Sequence, residues 1–219
     1  RIRMKKRNIF TISVLLITIM VHAQQPSTEA KTLLDKTYAS FQASKGIRLT
    51  FRAATLDSDD SELTAMEGTA FIKADKFRLE TDQMDVWFDG STQWVFMKEV
   101  NEVNISSPTR DEITAVSPLA LLGIYRNGYI LTAPVNKHIN NKQVKSISMV
   151  PTIGNMEYKE VVAVIDQKSH TLVQVTLTMR NGTKQRIDIS DYNANHNFSD
   201  GEFRFDKNGY PNVEIIDLR

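Results

Sequence analysis

Asp85-Val-Trp-Phe-Asp-Gly-Ser-Thr-Gln-Trp-Val-Phe-Met97 is the stretch that decides the fold. Two aromatic-rich apolar runs flank Asp89-Gly90, and glycine supplies the positive φ that a tight hairpin turn needs. Aromatic and β-branched residues favour a pleated, half-buried surface, so the stretch reads as two antiparallel strands. Both faces of 85–97 carry bulky apolar groups, so period-two alternation alone leaves open which face looks inward.

The same period extends toward the N-terminus. Ile47, Leu49, Phe51 and Ala53 alternate with Arg48, Thr50 and Arg52, as in a half-buried strand. An acidic turn, Asp57-Ser-Asp-Asp-Ser-Glu62, separates it from Glu67-Gly-Thr-Ala-Phe-Ile-Lys73. Lys76-Phe-Arg-Leu-Glu-Thr81 is a further short strand with Phe77 and Leu79 on one side. Ahead of these, Ala30, Leu33, Leu34, Thr37, Tyr38 and Phe41 fall at helical spacing and predict an amphipathic helix over 29–44. Thr28 is placed to cap it and Gly46 to end it.

Toward the C-terminus the β pattern is interrupted once. Residues 111–126 read as one or two short helices, with Ser117 as N-cap, Pro118 at the first helical position, and Leu119, Leu122 and Ile124–Tyr125 as an apolar surface. Strands resume near 143–151, 157–166, 171–180 and 183–192, with Asn181-Gly182 as a second tight hairpin and a last strand or two within 202–217. Strands at roughly ten-residue spacing predict a meandering antiparallel sheet. The expected class is mostly β with short helices, an α+β domain.

The first 23 residues read differently. Arg1, Arg3, Lys5, Lys6 and Arg7 form a basic block with Met4 as the expected start, and an apolar run from Ile9 to Val21 follows. Val21-His22-Ala23 then ends the segment on modest or small residues, the order of a secretory signal peptide cut after Ala23. The apolar run is shorter than the ~20 residues a membrane-spanning helix needs. No cysteine stands at the cleavage point, so a soluble, unlipidated periplasmic protein is expected. Residues 1–23 hold 5 of the 27 basic residues and none of the 26 acidic ones. The 196 residues from 24 to 219 therefore carry 22 basic against 26 acidic groups, a formal charge of −4, and make one domain. That balance gives no basic footprint for nucleic acid. Cysteine is absent, which excludes disulfides, thiol catalysis and cysteine-ligated zinc.

Motifs for chemistry are sparse. His138, His170 and His196 stand singly, without metal-ligand spacing. Asp57, Asp59, Asp60 and Glu62 lack the glycine and the twelfth-position glutamate of a calcium loop. No nucleophile elbow and no phosphate-binding glycine loop is present. What stands out is an apolar inventory on strands: Phe51, Phe71, Phe77, Trp87, Phe88, Trp94 and Phe96. It suits either an ordinary core or a sheet curved around an apolar cavity covered by the helices.

Several stretches, in order, resemble the LolA-like lipoprotein carriers, most of all those of Bacteroidota-type bacteria. They are Leu34-Asp-Lys-Thr-Tyr-Ala-Ser-Phe41 leading to Ile47-Arg-Leu-Thr-Phe51, then Gly68-Thr-Ala-Phe-Ile-Lys-Ala-Asp-Lys-Phe-Arg78 and Trp87-Phe-Asp-Gly-Ser-Thr-Gln-Trp94. Asn101-Glu-Val-Asn-Ile-Ser-Ser-Pro108, Ser117-Pro-Leu-Ala-Leu-Leu122 and Pro211-Asn-Val-Glu-Ile-Ile-Asp-Leu-Arg219 complete the set. The resemblance implies an unclosed antiparallel β-barrel of about eleven strands with a helical lid over an apolar concavity. It implies a carrier, not an enzyme, with acylated lipoproteins or another lipid as cargo. The donor it implies is an inner-membrane lipoprotein-releasing transporter; the protein would be a monomer and need no cofactor or metal. Phe51, Phe77, Leu79, Trp87, Trp94 and Phe96 are the expected cavity wall, and Leu119, Leu121 and Leu122 belong to the expected lid. Enterobacterial members have a lid-binding arginine after the lysine of the second strand, where this chain reads Lys73-Ala74, so lid control is expected to differ here. Two other readings stay open: a lipid or lipoprotein sensor on the same fold, and an envelope-polymer hydrolase requiring two close carboxylates in a polar cleft.

Overall fold

A computed structural model describes residues 27–109, 112–113, 123, 125–126, 128–154 and 156–219. The expected signal segment, Ser117, Pro118 and the expected lid residues Leu119, Leu121 and Leu122 lie outside the described residues.

The predicted helix is α1 (Thr28–Gln42). Ser27, not Thr28, caps it: its Oγ accepts from the Ala30 N–H at 3.2 Å. Lys31 pairs with Asp35 one turn on at 2.7 Å. The helix ends at Ala43, so Gly46 is not its terminator. Gly46 instead bridges to Asn195, where a β-carbon would stand 2.5 Å from the His196 carbonyl oxygen and 2.6 Å from the Phe198 ring. The position needs glycine because two chain segments touch there.

Among the described residues thirteen strands follow: β1 (Ile47–Leu56), β2 (Glu62–Lys73), β3 (Lys76–Thr81), β4 (Met84–Phe88), β5 (Gln93–Met97), β6 (Glu102–Ser106), β7 (Tyr129–Leu131), β8 (Val135–Ile139), β9 (Lys142–Pro151), β10 (Tyr158–Asp166), β11 (Leu172–Met179), β12 (Lys184–Asn193) and β13 (Glu214–Asp217). They form one sheet in the order β13-β6-β5-β4-β3-β2-β1-β12-β11-β10-β9-β7, with β8 also paired to β9. The sheet is not closed: β13 stands at one edge and β7 at the other. The unclosed β architecture expected from the sequence is therefore present, with thirteen strands in place of eleven. Both glycine hairpins are where their sequences put them, with Gly90 at φ 101° and Gly182 at φ 94°. The β2–β3 turn places Ala74 at φ 55°, so the position of the family arginine holds a methyl group in a left-handed conformation.

Every strand pairing is antiparallel except β13 with β6. Six strands separate β12 from β13, so the chain must cross the sheet after Asn193. It does so along the outer face, anchored by aromatic contacts. Phe198 meets Phe71 edge-on at 5.9 Å, and Phe205 and Tyr210 reach Trp87 at 5.5 and 5.8 Å. Lys73 Nζ donates to the Phe198 carbonyl at 2.8 Å, and Arg204 pairs with Asp89 at 3.0 Å. The single strand β13 replaces the one or two anticipated within 202–217; the rest of that span is this outer strap.

The inner face carries the main core. Ala30, Leu33 and Leu34 of α1 pack with Ile47 and Leu49 of β1, Ile147 and Met149 of β9, Val161 and Ile165 of β10, and Val175 of β11. Leu34, Ile47, Ile147 and Ile165 are fully buried, each worth about 1.5–3 kcal/mol in burial. The helix thus fills one half of the sheet's inner face.

Candidate functional site

Among the described residues, nothing fills the other half. Inward side chains of β12, β1, β2, β3, β4 and β5 surround a cavity of about 400 Å³, within the usual range for ligand sites. Because successive strand residues point to opposite faces, each strand contributes every second residue: Leu49, Phe51 and Ala53 from β1; Met66, Ala70 and Ile72 from β2; Phe77, Leu79 and Thr81 from β3. Met84 and Val86 of β4, Gln93 and Val95 of β5, and Ile187 and Ile189 of β12 complete the wall. No residue of α1 reaches it.

Two polar side chains stand in this wall. Thr81 is committed to its own turn, donating to the Met84 carbonyl at 2.8 Å and accepting from the Met84 N–H at 3.0 Å. Gln93 makes one long contact, accepting from Ser106 Oγ at 3.5 Å. Among the described residues no carboxylate, imidazole or cationic group lines the cavity, and no three His, Asp or Glu side chains gather as a metal site elsewhere. Burial runs in a gradient. Leu49, Ala70, Ile72 and Phe77 are buried at one end, whereas Ala53, Met66, Met84 and Ile187 are half-buried at the other. The cavity is therefore more open at the Ala53–Ile187 end, where it exposes apolar wall to solvent, and the half-buried Gln93 stands beside Phe88 and Phe77 toward the other end. Such a surface can bury hydrocarbon; it offers no acid–base pair and no metal ligands.

Of the residues named from the sequence, Phe51, Phe77 and Leu79 stand in this wall. Trp87, Trp94 and Phe96 do not. They project from the outer face, in a second apolar cluster with Val103 and Val213 under Phe205 and Tyr210. The cause is the strap: it covers the outside of β4–β6, so those strands are apolar on both faces and their largest side chains belong to the outer one. In the register Val86 faces Val95 while Trp87 faces Trp94, which places the smaller valines inside. Because both faces of 85–97 are apolar, the sequence does not single out Val86 and Val95 as wall residues. Sequence reasoning also missed Ile187 and Ile189, although Lys184-Gln-Arg-Ile-Asp-Ile carries the alternation that would have found them.

The far end of the 111–126 segment is fixed to α1. Tyr125 Oη donates to Asp35 Oδ1, and the Arg126 guanidinium lies 4.1 Å from the Tyr38 ring. The hydrogen bonds from Lys31 and Tyr125 hold the Asp35 carboxyl below its ordinary range, and burial followed by the Asp35 bond pushes the Tyr125 phenol up.

The family model described as outer membrane lipoprotein carrier protein LolA matches residues 19–183. The chain belongs to the LolA family. No curated protein matches it in sequence. Among solved structures, the LolA-family chain is similar to an uncharacterized conserved protein from Thermus thermophilus, with TM-score 0.58 at 9% identity, over 86% of this chain and 98% of that one. A LolA superfamily protein from Nitrosomonas europaea aligns at TM-score 0.43 and 12% identity, covering 82% of this chain and 99% of that one. The Mycobacterium tuberculosis lipoprotein LppX aligns at TM-score 0.47 and 14% identity, over 77% of this chain and 99% of that one. At such identities the Thermus likeness is one of fold.

Proposed function

We propose that this LolA-family chain is a periplasmic carrier whose cavity takes up the acyl chains of lipoproteins and passes them toward the outer membrane. The observation that carries the reading is the apolar wall from Leu49 to Ile189, unfilled by the side chains of the described residues and half-exposed at one end. A soluble protein keeps such a surface where something is to cover it. Each methylene moved from water into the cavity contributes about 0.8 kcal/mol, so an acyl chain is held without any polar contact. Binding of this kind is non-covalent and reversible, as a carrier requires.

Two further points fit this role. The basic, apolar, small order of residues 1–23 directs export, with cleavage after Ala23. The family description names a lipoprotein carrier. An inner-membrane lipoprotein-releasing transporter is then the donor, and the open end of the cavity is the side that receives the chain.

Native mass spectrometry of the protein purified after export tests the reading. Co-purified acyl-bearing lipid or lipoprotein, recovered by organic extraction and lost in Leu79→Gln, supports it. A clean apo mass that stays apo in the presence of acyl lipid overturns it.

A further inference from the structure

We propose that Met66 and Met84 form an oxidation site at the open end of the cavity, where conversion of their thioethers to sulfoxides closes the apolar wall to ligand. The proposal rests on the carrier reading and adds a redox control to it. Cysteine is absent from the chain, so its oxidisable sulfur is all methionine. Met66 and Met84 both line the cavity and both are half-buried. Met66 pairs with Ala53 across β1 and β2, and a surface hollow groups it with Thr81, Asp82 and Gln83, the residues that lead into Met84. The two side chains therefore share one rim, next to the solvent that brings an oxidant. Met149, by contrast, is 2% exposed within the core, and the half-buried Met97 and Met156 do not line the cavity.

The step is an oxygen transfer from hydrogen peroxide. A lone pair of the thioether sulfur attacks one peroxide oxygen, the O–O bond breaks, and the other oxygen leaves as water with both peroxide protons. Sulfur is oxidised by two electrons and the peroxide is reduced by two. The product is a polar side chain with an acceptor oxygen. While the cavity is empty, water satisfies that oxygen, because the rim is half-exposed. An apolar ligand covers the rim and strips the water away. The wall offers no donor in exchange: among the described residues its polar side chains are Thr81 and Gln93. Thr81 Oγ1 already donates to the Met84 carbonyl at 2.8 Å, and Gln93 stands beside Phe88, toward the other end. An acceptor left buried without a partner opposes ligand binding, whereas the fold without ligand keeps it hydrated.

The experiment treats the delipidated protein with hydrogen peroxide, maps each sulfoxide by peptide mass spectrometry, and titrates a fluorescent acyl probe before and after. Sulfoxide at Met66 and Met84 ahead of Met149, with about tenfold weaker uptake and an unchanged thermal melt, is the expected result. Methionine sulfoxide reductases should then restore uptake. Each variant is compared with itself before oxidation. Met97→Leu/Met156→Leu should lose uptake as the native protein does, and Met66→Leu/Met84→Leu should lose less than about twofold. If Met66→Leu/Met84→Leu does not fold, the time course in the native protein decides: loss of uptake must follow sulfoxide at Met66 and Met84 and not at Met97 or Met156. Equal loss in both double variants, uptake retained with both rim methionines oxidised, earlier oxidation of Met149, or uptake lost only as the fold melts overturns the proposal and leaves the carrier reading standing. A protein that takes up no probe before oxidation overturns both.

Discussion

The ring of Phe51 lies against Gly68, its register partner on the neighbouring strand: a β-carbon at position 68 would stand 2.7 Å from Phe51 Cζ and 2.4 Å from the Glu80 carbonyl oxygen. Glycine here leaves room for an aromatic ring of the cavity wall against the neighbouring strand. Gly68→Ala should destabilise the protein by about 2–3 kcal/mol, since the obstructing carbonyl belongs to the backbone of β3 and cannot swing aside. Phe51→Ala in the same background should recover only part of the loss, because it removes the ring and leaves the carbonyl. Urea unfolding of the two single variants and the double variant checks this; additive losses would contradict it.

The two apolar faces of the sheet should separate in their effects. Trp87, 4% exposed on the outer face, is a packing residue, and Trp87→Ala should cost about 3–5 kcal/mol of stability. Trp94→Gln, also on the outer face but only partly buried, should leave uptake of a fluorescent acyl probe unchanged. Leu79→Gln, on the inner face, should reduce uptake at least tenfold while costing less stability than Trp87→Ala. Parallel thermal melts and probe titrations decide the matter, and loss of uptake in Trp94→Gln with retention in Leu79→Gln would reverse the assignment of faces.

Much of this architecture is legible in the chain. The alternation of Ile47 to Ala53, the helical spacing of Ala30 to Phe41 and the glycines of Asp89-Gly90 and Asn181-Gly182 fix strands, helix and hairpins locally, because each rests on the periodicity or the φ of a few adjacent residues. The face of β4 and β5 is a different kind of fact. It depends on a segment more than a hundred residues away, Phe205 to Val213, lying over Trp87 and Phe96. No local pattern records that contact. The short strands β7 and β8 also escape notice: Val135-Asn-Lys-His-Ile139 is mostly exposed and polar, and it is a strand only because β9 supplies its hydrogen bonds. Period two shows which residues share a face with Leu49; it does not show whether α1 covers that face or stops short of it.

Asp89 ties the β4–β5 turn to the strap. Burial pushes its carboxyl up, but the N–H groups of Thr92 and Ser91 and the Arg204 guanidinium outweigh burial and hold it below the usual range. A carboxyl whose folded pKa is depressed contributes stability above its unfolded value, near 3.9, and loses that contribution as pH falls through the folded value. The native protein should therefore lose stability below about pH 4 more steeply than Asp89→Asn, and the gap of about 1–2 kcal/mol between them at neutral pH should close in acid. Denaturant midpoints measured from neutral pH down to about pH 2.5 would show it; a gap constant with pH would contradict the assignment.

Ala74 holds a left-handed conformation, φ 55°, in the β2–β3 turn. A side chain there costs about 1 kcal/mol relative to glycine in the same geometry. Ala74→Gly should raise stability slightly or leave it unchanged, whereas Ala74→Val should lower it by roughly 1 kcal/mol or more, because branching at Cβ worsens the clash. Thermal melts suffice to compare the three proteins.

The central claim is that the inner face of β12 and β1–β5 holds an acyl chain. Photo-crosslinking with a single-chain lipid bearing a diazirine near mid-chain, followed by peptide mapping, tests it most directly. Labelling of Phe51, Leu79, Val95 or Ile189, competed away by unlabelled lipid, is the predicted result. Labelling concentrated on Trp94, Phe205 or Tyr210, or labelling that unlabelled lipid does not reduce, would mean that the cavity is not where the chain binds.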